Sequence, residues 1–254
     1  MDNKEIQLLK LETGILWPYH DKKKALSAST LTKILREIEY KEIPTHILLK
    51  AAERGKNFHE IIQGFVENGV YPPFVDSVEN VKLNKLDKRI YETINFLKKN
   101  KSLKLSRFIG SEKLHYVFYK GKLLATYIDL EFYDFVVELK SNSIKTSKLK
   151  FGRDNICLDS FEKLFASPFA LLIFEIQLLI QYLCTGKNIY LLWSTGEGII
   201  FNRFKISNYS LKILDMLIDL NDAGDIYSLN VKKNIIQEII NKYLVQYQDY
   251  QALL

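Results

Sequence analysis

The hydrophobic period changes partway along this chain, and that change limits the folds it can adopt. Up to residue 99, apolar side chains recur every three or four positions, which is the spacing of helices with one buried face. From residue 111 onward, short runs rich in Val, Tyr, Phe and Leu follow one another across tight turns, as antiparallel strands do. The predicted helices and strands cover 27–40, 45–68, 83–99, 111–119, 122–130 and 134–141.

Beyond these strands the helical period returns around one more strand pair. We predict a buried helix at 168–185 and a hairpin of strands 188–194 and 199–206. Two closing helices follow, one near 208–220 and one at 231–248. Helices, then strands, then helix, hairpin and helices is the order of an α/β fold. The sequence therefore predicts a mixed central β-sheet flanked by helices, with an N-terminal helical segment before it.

The length of 254 residues suits one domain, because single cores grow to roughly 250 residues before chains divide. We expect a single domain over 1–254, composed of a mainly helical part at 1–105, a core at 106–206 and C-terminal helices at 207–254. With 47% hydrophobic and 26% charged residues, the composition excludes a disordered or fibrous chain.

Composition also argues against several locations and cofactors. The first residues include acidic side chains and lack the basic start and apolar core of a secretory signal. The most apolar stretch, 169–184, is interrupted by polar residues and falls short of the roughly 20 apolar residues that a membrane span needs. Two cysteines, Cys157 and Cys184, are too few for a four-cysteine zinc site or an iron–sulfur cluster. We expect a cytoplasmic protein without membrane contact and without such a cluster.

The positive charge is concentrated in two windows, although the net charge is only +6. Residues 82–122 hold twelve basic and three acidic residues, and residues 140–153 hold five basic and no acidic ones. Segregated charge interleaved with aromatic residues is typical of a surface that follows a phosphate backbone. A solvated lysine-rich helix face gives the same pattern. On the first interpretation, the candidate DNA-binding residues are Lys98, Lys101, Lys145 and Lys148.

Two carboxylates and a lysine fall together if the strands 122–130 and 134–141 form a hairpin. With Leu130 paired to Phe135, the period of two places Asp129, Glu138 and Lys140 on one face, and the other face is apolar from Ile128 onward. Asp129 and Glu138 are then diagonal neighbours at about 7 to 8 Å between backbones.

Such a patch on a central strand has two interpretations. Mg²⁺ or Mn²⁺ prefers carboxylate oxygens and is often bound together with substrate phosphates, and a lysine beside it can orient water or stabilise phosphate charge. This indicates metal-assisted hydrolysis of phosphodiesters. The alternative is an exposed ion pair on a solvated strand.

Asp129 followed by Glu138-Leu139-Lys140 resembles the signature of the PD-(D/E)XK nucleases, and its surroundings resemble their RecB-like exonuclease branch. Upstream, the run from Arg54 to His59 is similar to the branch's helical Gly-x-x-x-His element. The other similar positions are Glu112, which matches the acidic residue of the first core strand, and Gln177 or Gln181 with Tyr182, which match a later Gln-and-Tyr helix. The likeness runs from about Ser27 to Phe204 and departs from the pattern at Ile128, at Thr126 and in the Gln–Tyr spacing.

This resemblance implies a restriction-endonuclease-like core and a Mg²⁺- or Mn²⁺-dependent DNA exonuclease. Its substrate would be single-stranded DNA or DNA ends in replication, repair or recombination, with a protein of those processes as a further partner. Because two cysteines cannot hold the four-cysteine iron–sulfur cluster of some members, the resemblance points to relatives without that cluster, such as the mitochondrial genome maintenance exonuclease and phage exonucleases. The implied metal ligands are His59, Asp129, Glu138 and the Leu139 carbonyl, and the implied catalytic set is Asp129, Glu138, Lys140, Glu112, Gln177 and Tyr182.

Three other functions remain open at this point. They are a non-catalytic nucleic-acid-binding module with a degenerate nuclease core, a partner subunit of an enzyme, and a structure-specific endonuclease. The intact set of Asp129, Glu138 and Lys140 argues against the first two, because a decayed site would be expected to lose at least one member.

Overall fold

The computed structural model describes residues 6–10, 15–69, 85–100, 103, 107–141, 168–195, 198–204, 206, 208–223, 231, 234–238 and 241. The helices are α1 (Ala28–Leu31), α2 (Lys33–Glu39), α3 (Thr45–Asn68), α4 (Lys85–Lys99), α5 (Pro168–Thr185) and α6 (Asn208–Asp222). The strands are β1 (Gln7–Lys10), β2 (Leu16–His20), β3 (Lys23–Lys24), β4 (Phe108–Tyr119), β5 (Lys122–Phe132), β6 (Phe135–Ser141), β7 (Asn188–Ser194) and β8 (Ile199–Arg203). Residues 234–238 are also helical, within the last predicted helix, whose remaining positions lie largely outside the described residues.

Local sequence signals account for the helix ends. Pro44 precedes α3, and Gly69 closes it in the left-handed conformation with φ 67°, which glycine adopts at little cost. The first predicted helix divides at Thr32 into α1 and α2. Ser27 begins α1 as its N-cap, because its Oγ accepts a hydrogen bond from the Thr30 backbone N–H at 3.1 Å.

The five-stranded sheet has the order β4-β5-β6-β7-β8 and is mixed, which confirms the predicted α/β architecture. All neighbours are antiparallel except β6 and β7, which run parallel. A parallel pair needs a crossover connection, and α5 supplies its helix.

Helices cover both faces of this sheet. On one face, Phe58 and Ile62 of α3 and Ile94 of α4 pack with Leu130 and Leu139. On the other face, the nearly continuous apolar surface of α5 packs on the sheet and on α1, α2 and α6, with side chains that include Leu35, Leu124, Leu172, Ile176, Leu179 and Leu217. The sheet is thus the middle layer of three.

A small sheet of β1, β2 and β3 lies within the part of the chain predicted to be mainly helical. Trp17 anchors it, because its indole N–H donates to the Ala25 carbonyl at 2.9 Å and its ring packs with Leu123 and Ala125. The sequence did not predict these strands, since they are at most five residues long and carry exposed apolar residues such as Leu8 without a period of two.

The β5–β6 hairpin has a register that differs from the predicted one. Leu130, which we predicted to pair with Phe135, pairs with Val137. The loop holds two residues instead of four because β5 continues to Phe132. The prediction was therefore wrong by two residues, a shift that by itself keeps Glu138 and Lys140 on one face.

The alternation of faces along β5 does not continue through Asp129. Ile128 packs with Val136 in a cluster that includes α5 residues, whereas Leu130 packs with Val137 in the cluster that includes α3 and α4 residues. A regular strand would put Ile128 and Leu130 on one face. The predicted continuous apolar face is therefore wrong at Ile128, and Asp129 occupies the point where the faces exchange.

Among the residues described above, no helix combines the length and the apolarity that a membrane span needs.

Candidate active site

His59 belongs to α3, and its side chain lies against β5 at Asp129, where the faces exchange. Its neighbour Phe58 is fully buried and fixes α3 against the sheet, which holds the imidazole over the strands. Nδ1 of His59 is 3.3 Å from Oδ1 of Asp129, and Nε2 is 3.0 Å from the carbonyl oxygen of Leu139. Both ring nitrogens therefore face acceptors, and His59 connects the two strands that carry the predicted metal ligands.

The carboxylate of Asp129 also bridges β5 and β6. The hairpin pairs Leu130 with Val137, and beyond that pair Oδ2 of Asp129 accepts a hydrogen bond from the Leu139 backbone N–H at 2.8 Å. A side chain thus takes the place of a main-chain acceptor at this end of the hairpin. Its side chain is 16% exposed, so part of the carboxylate reaches solvent.

Glu138 is held from the opposite layer of the fold. Its side chain is 1% exposed, and its Oε1 accepts hydrogen bonds from Lys140 Nζ at 2.5 Å and from Gln177 Nε2 at 2.6 Å. Oε2 accepts from Gln181 Nε2 at 2.6 Å. Gln177 and Gln181 are one turn apart on α5, so both amides reach the same carboxylate. The two glutamines that the sequence left as alternatives act together.

Lys140 has an environment of one carboxylate and one aromatic ring. Nζ lies 5.1 Å from the centroid of Phe174 on α5, within the range of a cation–π contact, and the side chain is 26% exposed. Burial raises the pKa of the phenol of Tyr40, which follows α2, and the nearby Lys140 ammonium works against that rise. Lys140 is therefore fixed by Glu138 and Phe174 but still reaches solvent.

The charges of this cluster shift one another's pKa. Burial raises the pKa of Glu138 and the Asp129 carboxylate raises it further, against the opposing effects of Lys140 and Gln181. Burial alone would lower the pKa of Lys140, but the two carboxylates outweigh it and raise that pKa above the ordinary lysine value. Lys140 is accordingly a protonated ammonium at neutral pH.

Asp129 and His59 shift each other in the same manner. Burial alone would raise the pKa of Asp129, but the His59 ring, Lys140 and the Leu139 N–H outweigh it and hold that pKa below the ordinary value. For His59, burial works toward a lower pKa, and the Asp129 and Glu138 carboxylates overcome it and raise the pKa. The cluster thus balances carboxylates against an ammonium and an imidazole.

The donor chemistry here suits a hard divalent cation, since two carboxylates and a backbone carbonyl offer oxygen ligands. These groups are engaged with one another, because His59 contacts both Asp129 and the Leu139 carbonyl while Glu138 holds three donors. Within the described residues, no group of three or more His, Cys, Asp or Glu side chains is arranged to hold a metal ion. A bound cation would have to replace some of these mutual contacts.

Glu112 lies in β4 between Ser111 and Lys113, which pair with Leu130 and Ile128 of β5, and its side chain turns to α3. Oε1 of Glu112 is 3.5 Å from Nε2 of Gln63, at the long limit of a hydrogen bond. Its backbone has φ 45°, in the left-handed region that non-glycine residues adopt at a cost. The structure therefore places Glu112 beside the cluster, with no contact to Glu138 or Lys140.

Tyr182 is not part of the cluster. It follows Gln181 directly on α5, so its side chain leaves the helix about 100° away from the Gln181 amide. The side chain is 44% exposed. Its predicted catalytic role therefore has no support from its position.

Of the four lysines predicted to contact DNA, the structure describes Lys98, which is exposed near the C-terminal end of α4. Lys101, Lys145 and Lys148 lie outside the described residues.

Sequence reasoning missed Tyr40 and Gln63 as neighbours of the site. Tyr40 ends the first predicted helical region, and its only signal was a polar aromatic residue at a helix end. Gln63 follows His59 by four residues on α3, so helical spacing could have placed it on the same side of that helix.

Comparisons with known proteins give one distant structural likeness. No family model matches this chain, and no curated protein matches it. The chain is similar to the crystal structure of a protein from Eubacterium rectale named "Putative exonuclease", with 13% sequence identity and a TM-score of 0.42, covering 86% of this chain and 82% of that one. A similarity of this degree carries no function from one protein to the other.

Proposed function

We propose that this chain is a Mg²⁺- or Mn²⁺-dependent deoxyribonuclease that hydrolyses phosphodiester bonds, as an exonuclease on single-stranded DNA or DNA ends. The supporting observation is the buried contact of Lys140 with Glu138, closed by two glutamine amides and set beside Asp129. Burying this many charged groups costs stability, and such clusters are concentrated at catalytic sites.

The raised pKa of Lys140 decides its role in the proposed reaction. A protonated ammonium cannot accept a proton from water, so Lys140 acts as a fixed positive charge. In phosphodiester hydrolysis, water adds to phosphorus and gives up its proton to solvent, the bond from phosphorus to the leaving oxygen breaks, and that oxygen takes a proton from solvent. Negative charge builds on the phosphoryl oxygens during this step. Preorganised cations stabilise that charge without reorienting during the reaction. Lys140 supplies such a cation on the side of the site that faces solvent.

The other residues position ligands and limit motion. Gln177 and Gln181 fix the Glu138 carboxylate, and the Leu139 N–H fixes that of Asp129. Asp129, Glu138, the Leu139 carbonyl and His59 are the groups that would hold the cation. When bound, Mg²⁺ or Mn²⁺ polarises a phosphoryl oxygen and lowers the pKa of a water molecule.

The test is a cleavage assay on end-labelled linear and circular DNA, single- and double-stranded, with Mg²⁺, Mn²⁺ or excess EDTA. We expect cleavage of linear DNA that requires the metal and is absent in the Asp129→Ala variant. Purifying that variant identically controls for a contaminating nuclease. Undiminished cleavage in EDTA would refute the metal dependence, and efficient cutting of closed circles would make the enzyme an endonuclease. Tight DNA binding without cleavage in any metal would favour the non-catalytic module.

A further inference from the structure

An arginine of α4 is buried at the strand end that carries Lys140. Arg89 is 8% exposed, and its Nη1 donates to the carbonyl oxygen of Ser141, the residue after Lys140, at 3.4 Å. Ser194 at the end of β7 donates its hydroxyl to the Arg89 carbonyl at 3.3 Å, and Ile90 anchors the same turn in the core. The backbone of this turn is therefore held by β7 and by the core, and one hydrogen bond joins the Arg89 guanidinium to the residue after Lys140.

A second arginine approaches the first from α3. Arg54 is exposed and lies one turn before Phe58, whose side chain packs against α4, so the two residues share the side of α3 that faces α4. Burial lowers the pKa of Arg89, and the charge of Arg54 lowers it further, while Glu92 partly opposes both. Glu92 itself lies 3.7 Å from Lys88. Two guanidiniums therefore lie close enough to act on each other between α3 and α4.

We propose that Arg54 and Arg89 bind a backbone phosphate of the nucleic acid, next to the phosphate that Lys140 contacts. This inference rests on the proposed function and adds the surface by which the substrate leaves the site. The planar guanidinium matches phosphate with two parallel hydrogen bonds, and two of them at one point favour a dianionic or backbone phosphate over a carboxylate. Lys50, exposed one turn before Arg54, continues the same line of charge along α3.

This surface overlaps only in part with the one that the charge windows indicated, because Arg89 lies inside the window 82–122. Lys98 is nine residues from Arg89 on α4, which is about 13 Å along the helix axis. Lys98 therefore lies toward the opposite end of that helix from Ser141. Arg54 itself lies outside both basic windows, so the count of charges along the sequence did not select it.

The test measures binding of a fluorescein-labelled single-stranded oligonucleotide by anisotropy, using the full chain in Ca²⁺ at several salt concentrations. The variant is Arg54→Ala, because Arg54 is exposed and its loss leaves the core intact. The matched control is Lys56→Ala, which removes the same charge from a side chain that is 77% exposed. Lys56 leaves the helix about 200° from Arg54, on the outer face.

We expect Arg54→Ala to weaken binding about fivefold at 0.1 M salt and to reduce the slope of log affinity against log salt by about 0.7, the loss of one single-strand phosphate contact. Lys56→Ala should leave both unchanged. Equal effects of the two substitutions would refute the contact.

The same experiments separate this inference from the proposed function. If the wild type cleaves DNA and Arg54→Ala keeps the wild-type slope, the phosphate contact alone is wrong. If the wild type binds DNA with the predicted loss in Arg54→Ala but never cleaves, the nuclease assignment is wrong and the contact stands. If the wild type does not bind DNA, both fail.

Discussion

Replacing Gln181 by methionine should destabilise the protein more than the same change at Gln177. Both amides donate to Glu138, but Gln181 is 1% exposed and is the donor seen at Oε2, while Oε1 also holds Lys140. Methionine has a similar volume, so the comparison isolates the lost hydrogen bond. The other amide atom, Oε1 of Gln181, has no hydrogen-bond partner among the described residues, so removing it costs nothing.

The size of the effect follows from the charge on the acceptor. A hydrogen bond to a charged group contributes about 1.5 to 3 kcal/mol, so we expect Gln181→Met to lower the free energy of unfolding by about 2 kcal/mol. For a chain of this length that corresponds to a fall in Tm of about 4 to 8 °C. Gln177→Met should cost less than about 1 kcal/mol, because Lys140 still serves the same oxygen and water can reach the half-buried position.

Urea unfolding followed by circular dichroism gives both free energies, and pH provides a second check. The pKa of Glu138 is already raised in the folded state, and losing the Gln181 donor raises it further. A carboxyl whose pKa is raised on folding destabilises the fold increasingly as pH rises from its unfolded to its folded pKa. The cost of Gln181→Met should therefore be largest at neutral pH and shrink in acid. Equal costs at the two glutamines, or a cost that grows toward acid pH, would refute the reasoning.

Two further changes test other parts of the site and fold. Lys140→Ala should lower kcat by about 100-fold with little change in DNA affinity, because a preorganised charge acts mainly in the transition state; a wild-type rate would remove Lys140 from the reaction. Glu131→Gln should destabilise the fold by about 1 to 3 kcal/mol at neutral pH, since the buried Glu131 carboxylate accepts hydrogen bonds from Lys187 at 2.7 Å and His115 at 3.1 Å. Burial opposes these partners, but they hold the pKa of Glu131 below its ordinary value, so its stabilisation is present at neutral pH and is lost as pH falls through the folded pKa. A difference in the free energy of unfolding between wild type and Glu131→Gln that persists at pH values below the folded pKa of Glu131 would contradict this assignment.

The sequence predicted the helices of this fold better than the geometry of its site. The bounds of α3 and α5 match the predicted ones, because each has a long apolar stripe and clear breakers at its ends. The hairpin register failed for a local reason, since Glu131 looks like a turn residue although it is a buried strand residue. Its partner Lys187 is 56 residues away, and no local pattern can show such a pair.

The cluster around Glu138 was predictable in its members but not in its arrangement. A period of two placed Glu138 and Lys140 on one face, and their contact agrees with it. The exchange of faces at Asp129 is invisible to a period argument, because it depends on how two strands separate under α3. Helical spacing on α5 put the two glutamines together, but only the packed sheet shows that both meet the same carboxylate.

The crossover between β6 and β7 has a consequence for how the acid becomes buried. Pairing β6 with β7 brings Leu191 alongside Glu138 and closes the sheet around it. The connection that makes this pairing parallel contains α5, which carries both donor amides. Helix α5 therefore both shields the Glu138 carboxylate from water and supplies the amide donors that take the place of water. A local opening that detaches α5 would expose Glu138 to water at the same time as it removes the two amides. The carboxylate would therefore not stay buried without hydrogen-bond donors.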